Sequence, residues 1–138
     1  MREDALASID GLITALALQD TEAALAYFDD AAVYVLATDP QLASAGGAYH
    51  GKAELRQMMQ RLRAEWQVLR WDVDPLLEGE EAVCANVTYR LRHRDTGHEL
   101  VDRRRYVFRT RGRLVEHCIE TLDNSRLRAF LMFAYWTD

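Results

Sequence analysis

The stretch from Glu81 to Asp123 constrains the fold of this chain more than any other part of it. Apolar and polar residues alternate over residues 83–91 and again over residues 98–110, a period of two that is typical of half-buried β-strands. The four residues between the two runs, Arg-Asp-Thr-Gly at 94–97, have the composition of a tight turn. The stretch therefore predicts a β-hairpin followed by a third strand.

The loop determines which residues of this hairpin face each other. If residues 94–97 form the loop, Tyr89 faces Asp102 and Val87 faces Arg104. This register sets most apolar side chains of one strand against the apolar face of the next. A slip by one residue would set Val87 against Arg103 or Arg105, which lie on the other face. It also predicts that Asp102 and Arg104 lie on the apolar face of the sheet, beside the hydroxyl of Tyr89.

Length and charge limit the class of protein. A chain of 138 residues predicts a single domain over residues 1–138. The net charge of −5 argues against a nucleic-acid partner, and no apolar run is long enough to span a membrane. Cys84 and Cys118 have no redox or metal-binding spacing, so we interpret them as reduced packing residues, which favours a cytoplasmic location. No motif indicates a cofactor or a metal site, and His93 and His98, opposed at the hairpin end, are interpreted as surface residues.

The remaining elements follow from helical spacing and turn residues. A second, short helix is expected to begin at a cap, Asp20 or Thr21, and to carry Leu25 and Phe28 on one face. The other expected elements are a first helix over 4–18, a short strand over 33–36, a loop over 38–49, a third helix from Gly51, a strand over 66–77 and a last helix over 126–136.

This order of elements predicts an α+β fold. Strands that follow one another through short turns form an antiparallel sheet. We expect that sheet to be cone-shaped and strongly curved, to wrap around the N-terminal helices, and to be followed by a C-terminal helix. The open end of such a cone is a natural place for a small-molecule pocket.

Four segments of the chain resemble the nuclear transport factor 2-like superfamily, and within it the SnoaL-like polyketide cyclases, limonene-epoxide hydrolases and ketosteroid isomerases. They are AYFDDAAVY at 26–34, YHGKAEL at 49–55, YVFR at 106–109 and GRLVEH at 112–117. The resemblance implies the cystatin-like, or SnoaL-like, fold and a homodimer formed through the outer face of the sheet. It does not imply one reaction, because this fold hosts isomerases, dehydratases, cyclases, hydrolases and proteins without catalysis.

Compared with the epoxide hydrolases, this chain keeps only part of the active site. Tyr34 matches a tyrosine that helps to hold a water molecule, and Glu120 corresponds best to a late aspartate. Leu36 stands where those enzymes have an asparagine, and Val87 and Tyr89 stand near the positions of an arginine and an aspartate. The resemblance therefore implies a rearranged or absent active site.

Two groups of candidate residues could carry chemistry on the inner face. Asp102 beside Arg104 should favour the ionised form, which suits a general base, and Tyr89 could donate a hydrogen bond to a carbonyl or enolate oxygen. With a two-residue turn at Arg111-Gly112, His117 faces the cavity and Glu120 faces away. An extra residue in the turn, or a β-bulge, would instead turn Glu120 inwards beside Asp102.

The sequence thus leads to two hypotheses of different class. The first is an enzyme that acts by acid–base chemistry, without a cofactor, on a small apolar molecule that carries oxygen. The second is a non-catalytic binding or association module in which the polar cluster is structural. The residues predicted to be catalytic are Asp102, Tyr89, Glu120 and His117, and those predicted to bind the ligand are Tyr34, Arg104, Tyr106, Val87, Met59 and Trp66.

Overall fold

The computed structural model describes residues 2–38, 40 and 45–136, and in this part of the chain helices and strands follow the expected order with two additional short strands. The elements are α1 (Arg2–Ala17), α2 (Thr21–Leu25), β1 (Phe28–Ala37), β2 (Gly47–His50), α3 (Gly51–Glu65), β3 (Trp66–Val73), β4 (Leu77–Glu78), β5 (Val83–His93), β6 (Glu99–Arg111), β7 (Leu114–Leu122) and α4 (Asn124–Trp136).

The strands form one curved, open sheet in the order β2-β1-β7-β6-β5-β3, with β4 paired to β5. This confirms the predicted α+β fold. The pair β1–β7 is parallel, while the other pairs are antiparallel as expected. β1 reaches β7 through long intervening chain rather than through a hairpin, so no tight turn forces the two strands to run in opposite directions.

The register of the β5–β6 hairpin is as predicted. Tyr89 pairs with Asp102 and Val87 pairs with Arg104. The amide N–H of His93 donates to the carbonyl oxygen of His98 at 2.8 Å, and Gly97 has a φ of 76°, a left-handed conformation that favours glycine. The composition of the turn and the alternation of the strands were therefore sufficient to align these two strands.

A β-bulge in the β6–β7 hairpin decides the direction of the last strand. Arg111 pairs with Leu114, so the turn is Gly112-Arg113 rather than the expected Arg111-Gly112. The pairing then shifts by one residue and leaves Glu116 as the extra residue of β7. Because one extra residue exchanges the two faces of a strand, Glu120 points to the inner face beyond this bulge.

Three expectations about the elements were wrong. Phe28 opens β1 and does not belong to α2, which ends at Leu25. Asp20, one of the two expected caps, is the N-cap of α2, and its Oδ1 accepts a hydrogen bond from the N–H of Ala23 at 3.1 Å. β2 begins at Gly47, within the stretch expected to be a loop, part of which lies outside the described residues. β3 ends at Val73, before Pro75, whose ring nitrogen has no N–H for a ladder hydrogen bond.

His93 was expected to be a surface residue, but it is buried and has no exposed area. Its ring centroid lies 4.8 Å from that of Trp66 and 5.5 Å from that of Tyr135. Its two ring nitrogens lie 2.9 Å from the Oγ1 of Thr96 and 3.4 Å from the Oε2 of Glu65. The aromatic side chains of α4 cover the hairpin end, which the pattern of β5 and β6 alone does not reveal.

The core lies between the inner face of the sheet and the helices α1, α2 and α3. Gln19, in the turn after α1, has a left-handed φ of 54°, which is uncommon for a residue with a side chain. Its Nε2 donates to the carbonyl oxygen of Trp66 at 2.8 Å, and its Oε1 accepts from the N–H of Val68 at 3.2 Å. Gln19 therefore ties this turn to the edge strand β3. None of the helices in the described ranges is long and apolar enough to cross a bilayer.

Candidate functional site

A cavity of about 70 Å³ opens between the helices and the inner face of the sheet. Its walls are mostly apolar, and its polar groups come from the turn after α1, from α3 and from β1, β6 and β7. The apolar lining includes Ala15, Leu16, Met58, Met59, Leu62, Trp66, Val68, Trp71 and Leu91, and the polar lining includes Gln19, Asp20, Arg63, Tyr34, Arg104, Tyr106 and Glu120. Such a distribution, an apolar pocket with few convergent polar groups, is typical of small-molecule sites.

Glu120 is the centre of the polar group. The residue is 1% exposed, and both of its carboxylate oxygens are hydrogen-bonded. The hydroxyl of Tyr34 donates to Oε1, and the Nη1 of Arg104 donates to Oε2. The guanidinium carbon of Arg104 also lies 4.8 Å from the centroid of the Tyr89 ring, within the range of a cation–π interaction.

Burial and the charge of Glu120 set the protonation of the neighbouring groups. Burial, and next the negative charge of Glu120, raise the pKa of Tyr34 and of Tyr106 well above the ordinary value. Burial opposes the charge of Arg104, but the carboxylate of Glu120 and the tyrosines outweigh it and leave the pKa of Arg104 well above its usual range. At neutral pH the phenols of Tyr34 and Tyr106 are therefore neutral, and Arg104 is charged.

Two buried donors of the cavity lining have no acceptor among the residues that the structure describes. They are the Nε1 of Trp71 and the Nε of Arg104. The Trp71 ring stacks on Tyr89 with centroids 6.3 Å apart, and it lies at the same distance from Tyr106. The indole and the guanidinium are thus held against the same tyrosine, Tyr89.

The structure brings together some of the predicted site residues and leaves others outside the cavity. Those that line it are Tyr34, Met59, Trp66, Arg104, Tyr106 and Glu120. Those that are not part of the lining are Val87, Tyr89, Asp102 and His117. Val87 and Tyr89 are buried and pair with Arg104 and Asp102 on β6. The roles predicted for all of these residues stay predictions.

Asp102 lies on the inner face, as its register predicts, but towards α4. Its Oδ1 accepts a hydrogen bond from the N–H of Arg103 at 2.8 Å and lies 3.6 Å from the Nε of Arg126, near the start of α4. Its Oδ2 is buried and has no partner among the described residues. These contacts place Asp102 at the junction of β6 and α4.

His117 lies on the outer face, which corrects the direction expected from a simple two-residue turn. It pairs with Arg109 on one side and with Val33 on the other, and it is half-buried. The bulge at Glu116 is the cause, because it moves Glu120 rather than His117 to the inner face.

The sequence predictions missed Trp71 and Gln19 as site residues. The spacing of Trp71 and Val73 was a signal that could have placed the indole on one face of β3, whereas Leu69 is the extra residue of a β-bulge and is exposed. No such signal exists for Gln19, because its place at the cavity depends on a left-handed backbone conformation that glutamine rarely adopts.

Comparison with protein families gives a match to the SnoaL-like domain over residues 9–117. Comparison with curated protein sequences gives no match.

Several solved structures are similar in fold over nearly the whole chain. A candidate isomerase from Bacillus subtilis has a TM-score of 0.81 and 13% sequence identity, and the alignment covers 99% of this chain and 95% of that one. A candidate polyketide cyclase from Xanthomonas campestris pv. campestris has a TM-score of 0.75, 17% identity and coverages of 93% and 96%. A hypothetical protein with a ketosteroid isomerase-like fold from Catenulispora acidiphila, in complex with trimethylamine, has a TM-score of 0.74, 15% identity and coverages of 88% and 89%. At these identities the similarity establishes the fold alone.

Proposed function

We propose, from the premise that this chain belongs to the SnoaL-like domain family, that it binds a small apolar molecule bearing oxygen and acts on it by acid–base chemistry. The observation that carries this proposal is the buried carboxylate of Glu120 in the lining of the cavity, held by Tyr34 and Arg104. Fold relatives described as a candidate isomerase and a candidate polyketide cyclase support the same class of chemistry.

Glu120 is the group best placed to act as the base. Its carboxylate, which is paired with Arg104, can accept a proton from a carbon next to a carbonyl group. The C–H electron pair then forms a carbon–carbon double bond, and the carbonyl π pair moves to the oxygen to give an enolate. The protonated Glu120 can return its proton to the same carbon or to another one. Isomerisation, dehydration and cyclisation of carbonyl compounds can all begin with this step.

One observation favours a second candidate, a binding protein without catalysis. Both carboxylate oxygens of Glu120 already accept hydrogen bonds from Tyr34 and Arg104, so the carboxylate has its partners within the protein. In that function the cavity would hold its ligand and leave it unchanged.

Deuterium exchange distinguishes the two candidates. A panel of small cyclic ketones, including cyclohexanone, is incubated with the protein in D₂O, and loss of the α-proton signals is followed by proton NMR. We expect the wild-type protein to accelerate exchange and Glu120→Gln to abolish the acceleration, because an amide cannot accept the proton.

The matched control is Glu116→Gln, which alters an acid of the same strand outside the cavity lining and should keep full exchange. Circular dichroism and the melting temperature establish that each variant is folded. Full exchange in a folded Glu120→Gln would exclude Glu120 as the base. A wild-type protein that binds ketones without exchanging them would support the non-catalytic candidate.

We also propose that two copies of the chain pair through the outer face of the sheet, in the cytoplasm. A row of small apolar residues crosses that face from one strand to the next, and these residues are half-buried or exposed. The outer row consists of Leu77, Cys84, Val107, Ile119, Val35 and Ala48, each paired with the next. A continuous apolar band is a feature of surfaces that associate. Both cysteines are free, in keeping with a reducing compartment.

A further inference from the structure

We infer that Trp71 and Arg104 form an acceptor-binding site for a neutral carbonyl oxygen, and that this site selects single-ring carbonyl compounds as ligands. The inference rests on the proposed function, because it specifies the ligand of the same cavity. It concerns recognition, however, and does not depend on whether Glu120 transfers a proton.

The buried donors indicate a ligand that accepts hydrogen bonds. The Nε1 of Trp71 and the Nε of Arg104 belong to lining residues, and each is buried without an acceptor among the described residues. An indole N–H and a guanidinium N–H can only donate. Buried donors are normally paired in folded proteins, so two unpaired ones on residues that line a single cavity are best explained by a ligand that supplies the acceptor. The requirement is for an oxygen or another acceptor, and a hydrocarbon does not meet it.

The charges around these donors favour a neutral ligand. The positive charge of Arg104 is already balanced by the carboxylate of Glu120. At the mouth of the cavity Asp20 and Arg63 carry opposite charges. A carboxylate ligand would have to lie close to Glu120 in an apolar environment, where two like charges repel each other strongly. A carbonyl oxygen accepts from the same donors without bringing a second negative charge.

The size and walls of the cavity limit the rest of the ligand. Its volume of about 70 Å³ is smaller than that of an engineered apolar cavity of about 150 Å³ that holds benzene. The carbonyl end of a small ring fits inside, and the remainder of the ring lies towards the open mouth. Met59, Leu62 and Trp66 provide apolar contacts for that ring.

Three probes of similar shape distinguish the contribution of the oxygen to affinity from that of the ring. Cyclohexanone carries a neutral carbonyl oxygen, methylenecyclohexane replaces that oxygen by a CH₂ group, and cyclohexanecarboxylate carries a negative charge. Each is titrated into the ¹⁵N-labelled protein, and the indole N–H signals of its three tryptophans are followed by NMR. The variant Trp71→Phe assigns the Trp71 signal and keeps an aromatic ring at the position.

We expect cyclohexanone to shift the Trp71 indole N–H proton downfield, because a hydrogen bond forms. We also expect it to bind about tenfold more tightly than methylenecyclohexane, and to lose about tenfold in affinity in Trp71→Phe. Methylenecyclohexane should bind equally to the wild type and to Trp71→Phe. The matched control is Trp66→Phe, which removes apolar contact from the same cavity and should weaken both probes to the same degree.

Several results would overturn the inference. These are equal affinities for cyclohexanone and methylenecyclohexane, an unshifted Trp71 signal at saturating cyclohexanone, tighter binding of cyclohexanecarboxylate, or no binding of any probe. If Trp71→Phe fails to fold, the shift of the wild-type indole signal and the ratio between the probes decide. Ketone binding through Trp71 without deuterium exchange would contradict the acid–base function alone, and exchange with unchanged binding in Trp71→Phe would contradict this inference alone.

Discussion

At the scale of single residues, the acids of the inner face differ in what surrounds them. Glu120 lies in the cavity lining and accepts hydrogen bonds from two lining residues, Tyr34 and Arg104. Asp102 lies outside the lining, and its Oδ1 lies 3.6 Å from the Nε of Arg126. The same chemical group therefore has two surroundings in one protein, and only that of Glu120 contacts the space a ligand would occupy.

Replacing Asp102 tests this distinction. We expect Asp102→Asn to keep the wild-type rate of α-proton exchange, because Asp102 does not line the cavity. We expect it to lower the free energy of unfolding by about 1 kcal/mol, because the charge that faces Arg126 is lost. Urea unfolding and the deuterium-exchange assay measure the two effects. Loss of exchange in a variant that retains its native circular dichroism would instead give Asp102 the catalytic role that the sequence predicted.

The sequence could place Asp102 and Arg104 but could not choose between Glu120 and His117. The former pair lies on a strand whose register follows from a recognisable turn. The latter pair lies beyond an extra residue, Glu116, and a glutamate in a strand gives no sign that it forms a bulge. Alternation of polar and apolar residues fails at such a point, because the period of two is interrupted.

At the scale of elements, the two faces of the sheet have separate tasks. The inner face packs against α1, α2 and α3 and forms the cavity, while the outer row crosses the opposite face. Around this row the outer face is rich in arginine side chains, such as Arg103, Arg105 and Arg109, each exposed. A polar surface divided by an apolar band suits a contact between two copies that can also fold alone.

A charge within the outer row tests the proposed pairing. We expect the wild-type protein to be a dimer and Ile119→Arg to be a monomer, because Ile119 lies in the middle of the row and a buried charge without a partner opposes association. Light scattering coupled to gel filtration measures the mass. Val101→Arg is the control, because Val101 is on the outer face but outside the row and should leave the dimer intact. A monomeric wild type would exclude the pairing.

Most of the elements could be predicted from the sequence, and the exceptions have physical causes. The longer elements, such as β5 and β6, can be recognised in the sequence by their apolar periodicity. β2, with four residues, is too short for a period to be recognised. The burial of His93 depends on α4, whose position against the hairpin end is a tertiary effect that no local pattern contains.

At the scale of the whole molecule, burial of tyrosines around one carboxylate makes the free energy of unfolding fall with pH in the alkaline range. Tyr34 and Tyr106 are fully buried near Glu120, and burial is the main reason that their pKa values are raised well above the ordinary one. Burial also raises the pKa of the Cys118 thiol well above its usual value. The folded protein therefore keeps protons that the unfolded chain releases.

The sign of the effect follows from this difference. Below the ordinary pKa of tyrosine, about 10, the two tyrosines are protonated in both the folded and the unfolded state, and their full contribution to stability is present. Above that pH only the unfolded chain ionises, so the free energy of unfolding falls. Each buried tyrosine adds about 1.4 kcal/mol per pH unit to the decline until its folded pKa is reached. Urea unfolding between about pH 9 and 11 measures the slope, which should be smaller in Tyr106→Phe. A free energy of unfolding that stays constant over this range would contradict the prediction.

The direction of the last strand depends on one residue, Glu116, that is left out of the pairing with β6. If the same residues paired without the bulge, each side chain after this point would move to the opposite face, so that the carboxylate of Glu120 would join the solvent and Ile119 would fill the hollow. A lineage can therefore exchange an acidic interior for an apolar one by losing this bulge, without losing a residue. What such a protein can do then depends on how two strands align at one residue as much as on the identity of its side chains.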